Sequence, residues 1–204
     1  FEYMIQVKVH EFYHNLNGSE VTGWSPFEIW LNEAVTVHVE RQYHAFLFGE
    51  SYSRLGDALD LLSPDGGTLL RDVGAISMPI EPDGFNDPNE LITDITYVKA
   101  PEFVRMVETL LGKEKFNEGL YLYYKRYKHG NATRSQWVQA MEDVSGINLQ
   151  HMAKVWLKKT GYPIIKAEKS FNEKKKECTI TLTQTNAADD HWEFPFAIAL
   201  FDTK

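Results

Sequence analysis

The chain has 204 residues, 43% of them hydrophobic and 25% charged, the balance of a globular chain that buries a core and neither disordered nor collagen-like. Its 21 basic and 29 acidic residues give a net charge of −8, which repels phosphate backbones and argues against a nucleic-acid partner. The single cysteine, Cys178, excludes an internal disulfide and any cysteine-rich metal site, and no apolar run approaches the ~18–20 residues of a membrane-spanning helix.

Both ends are apolar. Residues 1–9 and 194–201 read as parts of packed elements, as expected of an excerpt from a longer protein. The first helix is predicted over 3–16 from apolar residues at three- and four-residue spacing, with Asn17-Gly18 closing it. It carries His10-Glu11-Phe12-Tyr13-His14. Residues four apart on a helix differ by about 40° of rotation, so both imidazoles project from one face. Their nitrogens can then reach one Zn²⁺ at about 2.0–2.1 Å. Glu11 stands between them and can reach a water on the metal instead of the metal itself.

A second helix opens at Ser25-Pro26-Phe27-Glu28, with a Ser cap, Pro at the first helical position and Glu three residues on. It is predicted to run to Phe48 and stop at Gly49. An antiparallel return brings this helix back along the first, and eighteen residues separate His14 from Glu33. Two histidines and a carboxylate with a fourth position open to water form a catalytic zinc arrangement. Glu40 lies seven residues beyond Glu33, about 20° from the same face, where it can accept a hydrogen bond from a ligand imidazole and orient it. A histidine pair on an apolar face is more often a packed or surface pair. Here the intervening glutamate and the spaced third ligand favour the metal.

A third helix is predicted over 52–62. Residues 63–94, rich in Pro, Gly, Asn and Asp, read as loop with one helical turn. Helices follow near 98–111, 113–128 and 135–144, and another runs from the Asn148 cap to Gly161. After Pro163 the period becomes two. Ile180, Leu182 and Gln184 alternate with Thr179, Thr181 and Thr183 as in a half-buried strand, preceded by a hairpin turn over 172–177, and Phe196, Ile198 and Leu200 suggest another strand. The fold class is α+β, with a helical unit over 1–161 and the start of a β unit over 162–204. His38, His44, His129, His151 and His191 lack partners at ligand spacing and read as packing or surface residues. Trp30, Trp137, Trp156 and the tyrosines of 120–124 read as core or domain interface, and Cys178 as an inert strand residue.

His10-Glu11-x-x-His14 followed by Glu33 within Trp30-Leu31-Asn32-Glu33 resembles the gluzincin zinc aminopeptidases of the aminopeptidase N type. The likeness continues through Thr96-Tyr97-Val98-Lys99-Ala100-Pro101-Glu102, Gln139-Ala140-Met141-Glu142-Asp143 and Phe194-Pro195-Phe196-Ala197-Ile198. It spans essentially the whole chain. Family members have Gly-Ala where Ala100-Pro101 stand and Gly where Ala34 follows the ligand.

The resemblance implies the mostly helical, zinc-binding half of a thermolysin-like domain followed by the first strands of a β-sandwich. It implies one Zn²⁺ per chain on His10, His14 and Glu33, with Glu11 as general base and Tyr97 as hydroxyl donor to the oxyanion. Without it, Tyr97 is only a residue at a loop-to-helix junction. Peptide substrates, the upstream and downstream domains of a full-length enzyme, and a cytoplasmic location like that of bacterial alanyl aminopeptidases are also implied. The family's Gly-Ala-Met-Glu-Asn motif, which holds the substrate amine, does not occur here and is expected upstream. Two alternatives stay open: a zinc hydrolase of a non-peptide electrophile such as an epoxide, and a non-catalytic fragment.

Overall fold

A computed structural model describes residues 1–74, 77–185, 191–199 and 201. Helix α1 (Glu2–Tyr13) ends earlier than the sequence pattern suggests. Asn15 and Leu16 donate to the carbonyls of Phe12 and Tyr13, a tightened turn. Gly18 follows at φ 126°, a backbone state that favours glycine. A Cβ there would also stand 3.1 Å from His14 Nδ1. Strand β1 (Val21–Gly23) then pairs in parallel with β2 (Gly130–Ala132). Three residues are too few to show a period, so this pairing left no mark in the sequence.

Ser25 forms the expected capping box. Its hydroxyl accepts from Phe27 N while Glu28 accepts from Ser25 N at 2.9 Å. One 3₁₀ turn, Pro26–Glu28, leads into α2 (Ile29–Phe48), which Gly49 stops at φ 100°. Helix α3 (Glu50–Leu62) follows. The loop after it carries α4 (Thr68–Arg71) and a second 3₁₀ turn, Pro88–Leu91, where one helical turn was expected. A short π-helical stretch, Ile95–Lys99, feeds α5 (Ala100–Leu111), and α6 (Lys113–Tyr127), α7 (Arg134–Ser145) and α8 (Gln150–Lys158) complete the helices.

The core sits where α2, α5 and α7 meet. Trp30, Phe103 and Trp137 are fully buried, with ring centroids 6.0–6.5 Å apart. Trp156 is buried on α8, so the three tryptophans lie in the core, as do Tyr123 and Tyr124, while Tyr121 of the same run is exposed. A buried ion pair fastens the loop to the end of α8. Lys99, 1% exposed, donates to Asp72 at 2.6 Å and to the carbonyl of Gly161 at 2.8 Å, and Gly161 N donates back to Asp72 at 2.7 Å. Burial lowers the Lys99 pKa, against the charge and hydrogen bond of Asp72.

Strands β3 (Ile165–Asn172) and β4 (Glu177–Gln184) form an antiparallel hairpin, registered from Ile165↔Gln184 to Asn172↔Glu177. The expected turn over 172–177 is there. The expected half-burial is not: Leu182 is exposed and only Ile180 and Gln184 on β4 are partly covered. No second sheet layer lies against this face among the described residues; only the segment around Trp192, Phe194 and Phe196 borders it. Phe196 and Ile198, expected in a strand, have no strand partner among the described residues, and Leu200 lies outside them. Cys178 is a free thiol, exposed on β4. No helix is long and apolar enough to cross a membrane among the described residues.

Candidate metal centre

Helix α1 buries no residue completely, so apolar packing alone does not hold it. Polar pairs lay it along α2: His14 with Glu33, His10 with Glu40, and Glu2 with His44, at 3.4, 3.0 and 3.5 Å. As numbers fall on α1 they rise on α2, which makes the two helices antiparallel. Asn17, fully buried, fixes the turn. Its Nδ2 donates to the carbonyls of Leu31 and Asn32 at 3.1 and 2.7 Å, and its Oδ1 accepts from Tyr124 OH at 3.2 Å. The sequence marked Asn17 only as a helix stop.

The ring nitrogens can be assigned from their partners. His14 Nδ1 lies 2.9 Å from the Asn17 carbonyl, which can only accept, so Nδ1 carries a proton. His10 Nδ1 lies 3.0 Å from Glu40 Oε2 and donates in the same way. Both Nε2 atoms therefore turn lone pairs toward one point in the neutral rings. They are 3.0 Å apart, and Glu33 Oε2 stands 3.2 Å from His10 Nε2 and 3.4 Å from His14 Nε2. Three acceptors converge on a half-buried point, which is unfavourable without a positive charge between them.

Protonation answers to that demand. Burial pulls the His10 pKa down, but hydrogen bonds and charges from Glu33 and Glu40 outweigh it and raise the value to about 9. Burial pushes Glu33 up, and His10, His14 and Tyr97 together hold it below its usual range. His10, His14 and Glu33 could hold a metal ion in place of that proton. Glu40 and the Asn17 carbonyl would keep each ring turned the right way.

A cleft of about 430 Å³ opens beside this point, lined by His10, Glu11, Glu40, Asp60, Tyr97 and Val98. Glu11 is itself exposed to solvent. Tyr97 lies in the π-helical stretch, its ring centroid 6.4 Å from that of His10. Burial, then the Glu33 charge and hydrogen bond, push its phenol up to about 12. It stays a protonated donor at neutral pH.

The other histidines divide. His38 pairs with Glu108 at 3.0 Å, His44 with Ser53 at 3.0 Å, and His129 with Glu20 at 3.3 Å. His151 and His191, which the spacing left without partners, come together with Glu193. They are 40 residues apart in sequence, beyond the reach of any ligand-spacing rule.

The sequence matches the peptidase family M1 domain over residues 2–156. The chain belongs to peptidase family M1. It is 33% identical over 201 residues to aminopeptidase N of Escherichia coli, covering 96% of this chain and 23% of that protein. To tricorn protease-interacting factor F2 of Thermoplasma acidophilum it is 32% identical over 171 residues, covering 80% of this chain and 21% of that one. The crystal structure of Legionella pneumophila aminopeptidase A in complex with aspartic acid shares the fold, with a TM-score of 0.77 at 23% identity over 89% of this chain and 20% of that chain. This M1 chain thus spans about a quarter or less of the length of the curated relatives it matches. The family and the α+β class agree with the resemblance read from the zinc motif.

Proposed function

We propose that this chain carries the zinc centre of an aminopeptidase that hydrolyses the N-terminal peptide bond of peptides. The observation that carries the reading is the convergence of His10 Nε2, His14 Nε2 and Glu33 Oε2 with no donor among them in the neutral rings. Two imidazoles and a carboxylate beside an open cleft fit zinc in its catalytic form. A zinc ion held there supplies a Lewis acid that polarises the scissile carbonyl and makes water a nucleophile at neutral pH.

The remaining chemistry belongs to side chains. Glu11 takes the proton of the attacking water and delivers it to the leaving amine. Tyr97, which lines the same cleft as Glu11 and His10, donates its hydroxyl to the oxyanion. Glu40 holds the Nδ1 proton of His10, and the Asn17 carbonyl that of His14, so each ring presents its other nitrogen.

The proposal includes a helical unit over 1–161 and a β unit beginning at 162. It also includes the remainder of an aminopeptidase as packing partner for α1, whose Tyr3, Met4 and Phe12 are exposed. The test is Glu11→Gln in an enzyme carrying this chain, assayed on an alanyl anilide. The variant keeps one zinc at this centre and loses about 10²–10⁴-fold in turnover. Wild-type turnover in Glu11→Gln overturns the assignment. Tyr97→Phe loses about 10²–10³-fold in kcat.

A further inference from the structure

A second set of metal-ligating side chains lies where α8 meets the segment that follows β4. Trp192 fixes that junction. It is 5% exposed, its ring meets Trp156 edge-on at 4.8 Å, and Trp156 Nε1 donates to the Glu193 carbonyl at 2.7 Å. The Gln184 amide takes the same residue on both sides, accepting from Trp192 N at 2.9 Å and donating to Trp192 O at 2.5 Å. The backbone on either side of Trp192 is therefore held without help from the side chains of His191 and Glu193.

Those two side chains leave the segment together, with His191 Nε2 at 3.3 Å from Glu193 Oε1. His151 meets them from α8. Its ring lies 4.7 Å from that of His191, tilted by 30°, and its Nε2 donates to the His191 carbonyl at 3.0 Å. One ligand atom from each of the three residues falls within 4.8 Å of the other two.

We propose that His151, His191 and Glu193 bind a divalent metal ion of the zinc class, at a site separate from the His10 centre, and that the ion staples the segment after β4 to α8. Two imidazoles with one carboxylate select zinc, nickel or copper over magnesium or calcium. Ligand atoms about 2.0–2.1 Å from a tetrahedral zinc stand roughly 3.3 Å apart, the spacing His191 and Glu193 already have. Their side chains are 65% and 44% exposed, so they rotate to close on His151 while the backbone stays fixed. The positive N-terminal end of α8 would oppose a cation there. Glu142 offsets it, accepting from Leu149 N at 2.7 Å and from Gln150 Nε2 at 2.8 Å. None of the three residues has a part in the peptidase chemistry, so the site serves the junction.

Equilibrium dialysis against zinc alone, read by elemental analysis, tests this. The chain is expected to hold two zinc ions, and His191→Ala and Glu193→Gln one each. His14→Ala is also expected to hold one, and His14→Ala with His191→Ala none. Zinc should raise the Tm of His14→Ala and leave that of the double variant unchanged. The substituted side chains at 191 and 193 are exposed, and a metal-free circular-dichroism melt verifies the fold of each variant. Full zinc binding by folded His191→Ala and Glu193→Gln overturns the second site. Full binding by folded His14→Ala overturns the first centre instead, so the two failures are told apart.

Discussion

The helical region and the β3–β4 hairpin are both regular, and they are stabilised in opposite ways. Around Trp30, Phe103 and Trp137 the helices enclose side chains with no exposure at all. The hairpin keeps an unbroken register of eight residue pairs and has no buried residue on either strand. Backbone pairing is therefore enough to shape an element, while a two-stranded ribbon in water is marginal by itself. The proposed metal centre draws on the first kind of support. Glu33 and Glu40 rise from α2, which is anchored by buried residues such as Trp30, Val35 and Val37, and the lightly packed α1 is aligned on them by polar contacts.

This contrast can be tested by substitutions. Phe103→Ala empties a fully buried site and is expected to cost about 3–5 kcal/mol in urea unfolding. Asp72→Asn should approach that figure, about 3–5 kcal/mol, because it leaves the Lys99 ammonium buried without its counter-charge. An Asp72→Asn melt matching wild type would mean that the loop clamp contributes nothing.

Glu108→Gln has a smaller effect, about 1–2 kcal/mol at pH 7. The hydrogen bond to His38 holds the Glu108 carboxyl below its ordinary 4.5 against the pull of burial. A carboxyl depressed on folding stabilises above its unfolded pKa and loses that contribution as pH falls through the folded one. The wild-type protein should therefore lose more stability than Glu108→Gln as pH drops below about 4.5, measured by urea melts across pH. Parallel acid limbs would contradict it. The smallest effect belongs to the hairpin. Phe171, 61% exposed, should change stability by less than about 0.5 kcal/mol as Phe171→Ser, and a loss above 2 kcal/mol would erase the contrast. Amide exchange sharpens the same point: β3 and β4 should exchange faster than α2 and α5.

Local chemistry explains what could be read from the sequence. The Ser25 capping box and Gly49 bracket α2 because both act within a few residues, and the His10–His14 spacing works because a helix repeats every 3.6 residues. Glu33 and Glu40 followed once α2 was placed. Tyr97 could be singled out only through family resemblance, because a π-helical stretch leaves no period to read. Asn17 acts through contacts with α2 and Tyr124, and the parallel β1–β2 pair joins residues 21–23 to 130–132. Neither link has a local signature. The half-buried strand was expected from alternation on β4, which states which residues share a face but not whether anything covers it.

In the proposed zinc centre, the three converging lone pairs of His10, His14 and Glu33 are in place before any metal arrives. Diffraction at the zinc absorption edge from zinc-loaded crystals locates the ion. An anomalous peak is expected about 2.0–2.1 Å from His10 Nε2 and His14 Nε2 and about 2.0–2.2 Å from Glu33, with Glu40 still on His10 Nδ1. A zinc-loaded crystal with no peak at that point, or with a peak that Glu33 does not touch, would contradict it.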